Sequence, residues 1–239
     1  MEFSLLGAVF FAVIPLYITI YWEARRGNAA ACSKSLWDIA LTAGVVGLIA
    51  GRVAAMVGDG VNPLTHPADL LIVRGGVATG PAALAAILTA AWMGRDEVWP
   101  VLDGLSAAAV AGLSGWHAGC LARDACLGTP TDLPWAMAQS GSTVTRHPVE
   151  LYAAVALALV AGAIALWKMR GRPSLGVPAG LAIASSGLVR LATEPFRPTL
   201  SSGPIGWYWL GLVVGLSVAG WRWNVARRSE RHAPPATSQ

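Results

Sequence analysis

The chain has 239 residues, 55% of them apolar and 13% charged, with a formal net charge of +4. That charge content is about half of what an average soluble domain carries, so a soluble globular fold is excluded and membrane-embedded helices are expected. The basic excess contains no run interleaved with aromatics, which excludes a nucleic-acid-binding module and leaves the charge as a topogenic signal.

Seven stretches are apolar enough to cross a bilayer as helices, near 4–22, 36–57, 78–93, 98–115, 151–167, 175–193 and 207–221. Each approaches the length needed for about 30 Å of hydrocarbon. The first runs into Glu23-Ala24-Arg25-Arg26 without a small-residue cleavage site and reads as a retained helix. With the amino terminus outside, the inner loops hold Arg25, Arg26, Lys34, Arg95, Lys168, Arg170, Arg172, Arg222, Arg227, Arg228 and Arg231. The outer loops then hold only Arg74, Arg123, Arg146 and Arg197. That bias predicts a cytoplasmic carboxyl terminus. The expected architecture is an all-α polytopic membrane protein of about seven transmembrane helices. It forms a single domain over 1–228 with an outer loop at 116–147, followed by a polar, disordered tail at 229–239.

Along the chain, the first helix carries Pro15 and the interfacial anchors Tyr17, Tyr21 and Trp22. The second holds Gly44, Gly47 and Gly51, spaced for close approach of another helix, and then Arg52, too deep in the span to be indifferent. A turn-rich loop at 59–67 leads to 68–73, too short to span, and to Arg74-Gly75-Gly76, where irregular backbone opens onto the third helix. Residues 94–97 form a tight inner hairpin. Asp103 at the cytoplasmic end of the fourth helix suits a cap, because a carboxylate there meets the positive end of a helix dipole. The Ala- and Gly-rich fourth helix is expected at the centre of the bundle.

The outer segment 116–147 concentrates polarity in His117, Arg123, Asp124, Asp132, Arg146 and His147, while Trp116, Trp135, Pro130 and Pro134 argue for an ordered loop. Pro148 and Glu150 are accounted for as the start of the fifth helix, whereas the His147 imidazole is left for chemistry. Cys120 and Cys126 lie close together on the outer side, where oxidation is possible; Cys32 lies on the reduced inner side. No His, Cys and carboxylate spacing resembles a metal site, and no cofactor is expected. Arg190 and Glu194 sit one turn apart on one face of the sixth helix, a charge pair at or just inside a bilayer edge.

Five segments, in order, resemble the prolipoprotein diacylglyceryl transferase family. Gly51 to Met56 resembles its Gly-Ala-Arg-Leu-Gly-Tyr helix, Arg74 to Leu84 its glycine-rich segment, and Gly119 to Ala136 its signature loop. Arg146 to Tyr152 is similar to Arg-His-Pro-Thr-Gln-Leu-Tyr, and Gly187 to Arg197 to Gly-x-x-Arg-x-x-x-Glu-x-x-Arg. The resemblance implies transfer of a diacylglyceryl group from phosphatidylglycerol to the lipobox cysteine of a prolipoprotein signal peptide, in the bacterial cytoplasmic (inner) membrane. Arg52 and Arg190 match arginines expected to hold the headgroup, Glu194 matches the glutamate that orients Arg190 or takes a proton, and Arg146, Tyr152 and Arg123 fall in segments lining the same pocket. Family members carry His-Gly-Gly-Leu where this chain has Gly80-Pro81-Ala82-Ala83, so the usual base is absent and His117 or His147 is expected in its place. The alternatives are a non-catalytic paralogue that binds anionic phospholipid or a lipoprotein signal segment, and a small transporter. The transporter is disfavoured because the polar residues gather at one face of the membrane.

Overall fold

The structure, a computed structural model, describes residues 4–26, 32–70, 76–120, 127–198 and 204–231. Among these, seven α-helices form the body: α1 (Ser4–Arg25), α2 (Leu36–Gly58), α3 (Thr79–Met93), α4 (Val98–Ala118), α5 (Val149–Gly171), α6 (Val177–Thr193) and α7 (Ile205–Arg231). Four helices, α1, α2, α4 and α5, are long and apolar enough to cross a membrane. At 1.5 Å per residue, α3 and α6 reach only about 23 and 26 Å, and α7 about 40 Å. Large apolar side chains stand open all round the bundle, Phe10 at 65% and Leu159 at 70% exposure among them. Water opposes such a surface and hydrocarbon does not.

α4 is the central helix, as its composition suggests. It packs against α1, α5 and α6, while α2 pairs with α3 and α6 with α7. One core joins Ala107, Val110 and Ala111 of α4 to Leu157, Ala161 and Ile164 of α5 and Ala182 and Val189 of α6. A second joins Ile39 and Ala43 of α2 and Ala90 of α3 to Val101 and Leu105 of α4. Small residues set the spacing. A Cβ on Gly47 would lie 2.7 Å from the Ala82 carbonyl of α3, and one on Gly180 the same distance from the Gly215 carbonyl of α7. Gly44, expected in the same role as Gly47 and Gly51, faces nothing within 4 Å.

At the end of the bundle opposite the C-terminus of α4, charge is buried. The Asp103 carboxylate accepts the backbone N–H groups of Gly176 at 2.6 Å and Ala179 at 2.9 Å. It therefore caps α6, not its own helix, because α4 packs its first turns against the start of α6. Lys168 Nζ donates to Glu23 Oε2 at 2.9 Å and to the Asp103 carbonyl at 2.7 Å, which takes it out of the loop where charge bias alone placed it.

Two boundaries differ from expectation. α4 continues through Ala118, so Trp116 and His117 belong to its last turn rather than to a loop. Gly115 and Gly119 let α1 lie directly on this turn, against Phe11 and Ala8, which supports helix where polarity alone reads as loop. α7 runs to Arg231, into the segment expected to be disordered, and 232–239 lie outside the described residues. So do 71–75, with Arg74. Ahead of them Pro67–Leu70 forms a 3-10 turn.

The loop before α5 is ordered by its own backbone. β1 (Met137–Ala138) pairs antiparallel with β2 (Thr145–Arg146), Met137 opposite Arg146. The stretch 128–131 runs along the other side, with Gly128 N–H on the His147 carbonyl at 2.7 Å and His147 N–H on the Thr129 carbonyl at 3.0 Å. Thr129 N–H reaches the Phe196 carbonyl at 2.8 Å, tying the loop to the end of α6. Gly128 is required there: a Cβ would collide with the Phe196 carbonyl and Val149.

Candidate functional site

Four elements meet at the C-terminal end of α4. The last turn of α4 supplies His117, the first turn of α5 Glu150 and the last turn of α6 Arg190, and the 3-10 turn Glu194–Phe196 with the residue after it supplies Glu194 and Arg197. Glu150 is the hub, 7% exposed. Its Oε2 lies 2.5 Å from His117 Nδ1 and 3.1 Å from Arg190 Nη1, and its Oε1 lies 3.3 Å from Arg197 Nη2. Arg190 has a second anchor in Tyr208 of α7, donating to its hydroxyl at 3.3 Å and lying over its ring. Charges this deep persist only when paired and hydrogen-bonded, and each of these is.

Glu194 is buried in the same place, but its carboxylate lies 3.5 Å from Arg197 Nη1. The expected Arg190–Glu194 pair is thus replaced by two others, Arg190–Glu150 and Arg197–Glu194. The reason is that the chain leaves α6 at Glu194, whose backbone N–H still bonds the Arg190 carbonyl while its side chain turns toward the 3-10 residues. His147 belongs to a neighbouring cluster: its Nδ1 is 3.3 Å from the Tyr152 hydroxyl, its ring packs 5.0 Å from that of Phe196, and Trp135 Nε1 donates to Tyr152 at 2.8 Å. Arg146 donates to the Gly128 carbonyl at 3.2 Å. Arg123 lies outside the described residues, as does Cys126, while Cys120 is disulfide-bonded and Cys32 is a free thiol.

Arg52 does not join the cluster. It is 6% exposed, with Nε and Nη2 on the Asp69 carbonyl at 3.0 and 2.9 Å and Nη1 on the Gly76 carbonyl at 3.1 Å. It clamps the segment leading into α3, beside the Ala78 N–H bond to the Gly51 carbonyl at 3.0 Å. That clamp sets the first turn of α3, where Gly80 lies directly beneath the Trp207 indole, one residue from Tyr208. Where the resemblance leads to the expectation of a histidine, the space over Gly80 is taken by a tryptophan from α7.

Sequence reasoning passed over Glu150 as a helix start and left Arg197 as a surface charge. The signal that could have found them was proximity in the chain: Glu150 lies between His147 and Tyr152, and Arg197 three residues after Glu194. A cavity of about 420 Å³ lies between α1, α4 and α5, lined by Pro15, Trp22, Ala111, Ser114 and Ala161, and no side chain of the cluster lines it.

Residues 3–222 match the family model described as prolipoprotein diacylglyceryl transferase. Curated relatives named phosphatidylglycerol–prolipoprotein diacylglyceryl transferase include one of Wolbachia sp. subsp. Brugia malayi, 28% identical over 82% of this chain and 78% of its own length. Another, of Mesorhizobium japonicum, is 26% identical over 91% of this chain and 85% of its own. A third, of Cupriavidus pinatubonensis, is 29% identical over 73% and 69%. A match that runs from α1 into α7 and takes in every residue of the Glu150 cluster makes the chain a member of the prolipoprotein diacylglyceryl transferase family.

Proposed function

We propose that this chain transfers a diacylglyceryl group from phosphatidylglycerol to the thiol of a lipobox cysteine in a prolipoprotein signal peptide, as a multi-pass protein of the bacterial cytoplasmic membrane. All seven helices take part in the crossing, with the amino terminus outside, the carboxyl terminus in the cytoplasm and the Glu150 cluster at the outer leaflet. The observation that carries the reading is the meeting of Arg190, Arg197, Glu150 and His117 at one buried point. In the transfer the cysteine sulfur bonds to the glyceryl carbon as that carbon's bond to a phosphate oxygen breaks. The thiol proton passes to a base, and glycerol phosphate leaves with one more negative charge than the diester had. Guanidinium donors suit that gain, because charge-assisted pairs on phosphate oxygens strengthen as the oxygens become more negative.

Between the two expected bases, His117 is the better placed. Glu150 on Nδ1 fixes the ring, which leaves Nε2 to take the thiol proton. His147, Tyr152 and Arg146 form the adjoining wall toward the preprotein, and Arg52 acts on the headgroup through the segment it clamps. The test is the purified protein in lipid with phosphatidylglycerol and a lipobox peptide. A peptide gaining the mass of the diacylglyceryl group supports the reading, and no thioether product under conditions where a family enzyme works overturns it. His117→Gln is expected to lower turnover by about 10²- to 10⁴-fold, the usual share of a general base.

A second reading, lipid binding without transfer, is favoured by Gly80 under Trp207 in place of the motif histidine. It predicts phosphatidylglycerol binding without turnover, lost in Arg190→Ala.

A further inference from the structure

Glu150 bridges two guanidiniums with separate oxygens, Oε2 to Arg190 and Oε1 to Arg197, and it also takes His117 on Oε2. Like charges are held this close in a buried place only around an anion. Glu194 does not serve instead, since its described ion pair is with Arg197 alone. A carboxylate bridging two guanidiniums offers them two oxygens and one negative charge, the same as the two free oxygens of a phosphodiester. The ligand that the site is read to bind would therefore claim the same donors that Glu150 already occupies.

We infer that Glu150 is a resident counter-ion. It holds Arg190 and Arg197 together while the site lacks lipid, and it yields both guanidiniums to the headgroup phosphate when the lipid arrives. The inference rests on the anionic-lipid reading of this cluster. Three features make the exchange workable. Arg190 keeps its Tyr208 anchor and so holds its position when Glu150 departs. The Arg197 side chain is 34% exposed, which gives the phosphate a way in. Glu150 keeps His117 and, once released from the two cations, holds that ring alone. Headgroup binding and orientation of the base are then one event, with Glu150 acting as a positioning residue through His117.

The test is binding of phosphatidylglycerol, and separately transfer, by the full protein in a nonionic, phosphate-free detergent. Glu150→Gln keeps the shape and removes the competing charge. It is expected to tighten phosphatidylglycerol binding about tenfold or more and to lower KM and kcat together. A folded Glu150→Gln protein that binds phosphatidylglycerol no better than the parent overturns the inference. Should that variant not fold, Arg197→Gln decides: about tenfold weaker phosphatidylglycerol binding supports the exchange, and parental affinity overturns it. Binding is read without turnover, so tightened binding in an inactive protein would retire the transferase reading and keep this one. Transfer with unaltered binding in the variants would do the reverse.

Discussion

Arg52 and Arg190 are both deep arginines on helices, and their partners separate their roles. Arg190 meets a carboxylate and a phenol, whereas all the described bonds of Arg52 end on backbone carbonyls. Arg52→Lys replaces a planar fork that sets three N–H groups on two carbonyls with a compact ammonium of different geometry. It is expected to cost about 1 to 3 kcal/mol, the usual penalty for buried acceptors left unpaired, and to lower thermal stability as well as lipid affinity. The Arg190→Lys change should lower affinity with a smaller loss of stability. Measuring both quantities for both variants checks the division. This distinction was not legible in the sequence, where each arginine was a charge in a span. Which acceptors it finds depends on segments 17 to 24 residues away for Arg52 and 40 for Arg190.

Helices were readable from composition to within a few residues, because apolar runs and inner loops leave periodic, local traces. The ends of α4 and α7 and the capping of α6 were not, since they are set by contact with other elements. Lys168 shows the size of such effects: it joins α5 to Glu23 of α1 and to α4, with Glu23 only 1% exposed. Lys168→Met removes the ammonium that Glu23 meets at 2.9 Å, a change that costs about 3 to 5 kcal/mol in buried pairs. Thermal unfolding in detergent should show the loss, and Glu23→Gln in the same protein should recover much of it. At the α3–α4 turn, Lys34 Nζ binds Asp96 at 3.1 Å and the Ser33 N–H binds Glu97 at 2.9 Å. The Lys34 hydrogen bond holds the Asp96 carboxyl below its ordinary value, and the Ser33 backbone N–H does the same for Glu97. A depressed carboxyl stabilises above its unfolded pKa and loses that contribution as pH falls through the folded one. This tether is therefore expected to hold at neutral pH and to release below about pH 4, seen as faster exchange of the Ser33 amide.

At the scale of the molecule, the polar residues separate into two buried layers. One end of the bundle holds Lys168, Glu23 and Asp103, and the other holds the Glu150 cluster, with an apolar core between them. Sequence placed charge at both ends but not its pairing, because the pairs form between helices that are distant in the chain. The Gly128 crossing fixes the loop over the second layer. Gly128→Ala is expected to destabilise by about 1 to 3 kcal/mol, as overpacking does, and to slow transfer by shifting His147 and Phe196 together; a lowered Tm with reduced turnover is the outcome to look for.

The indole over Gly80 also constrains how this chain can be changed. Any side chain at position 80 meets the Trp207 ring, so placing an imidazole there by a single substitution would wedge α3 away from α7 before it offered new reactivity. Gly80→His alone should misassemble, whereas Gly80→His combined with Trp207→Ala should be accommodated. A side chain at position 80 is thus tolerated only when the one at position 207 shrinks to make room, so the two positions can change only together.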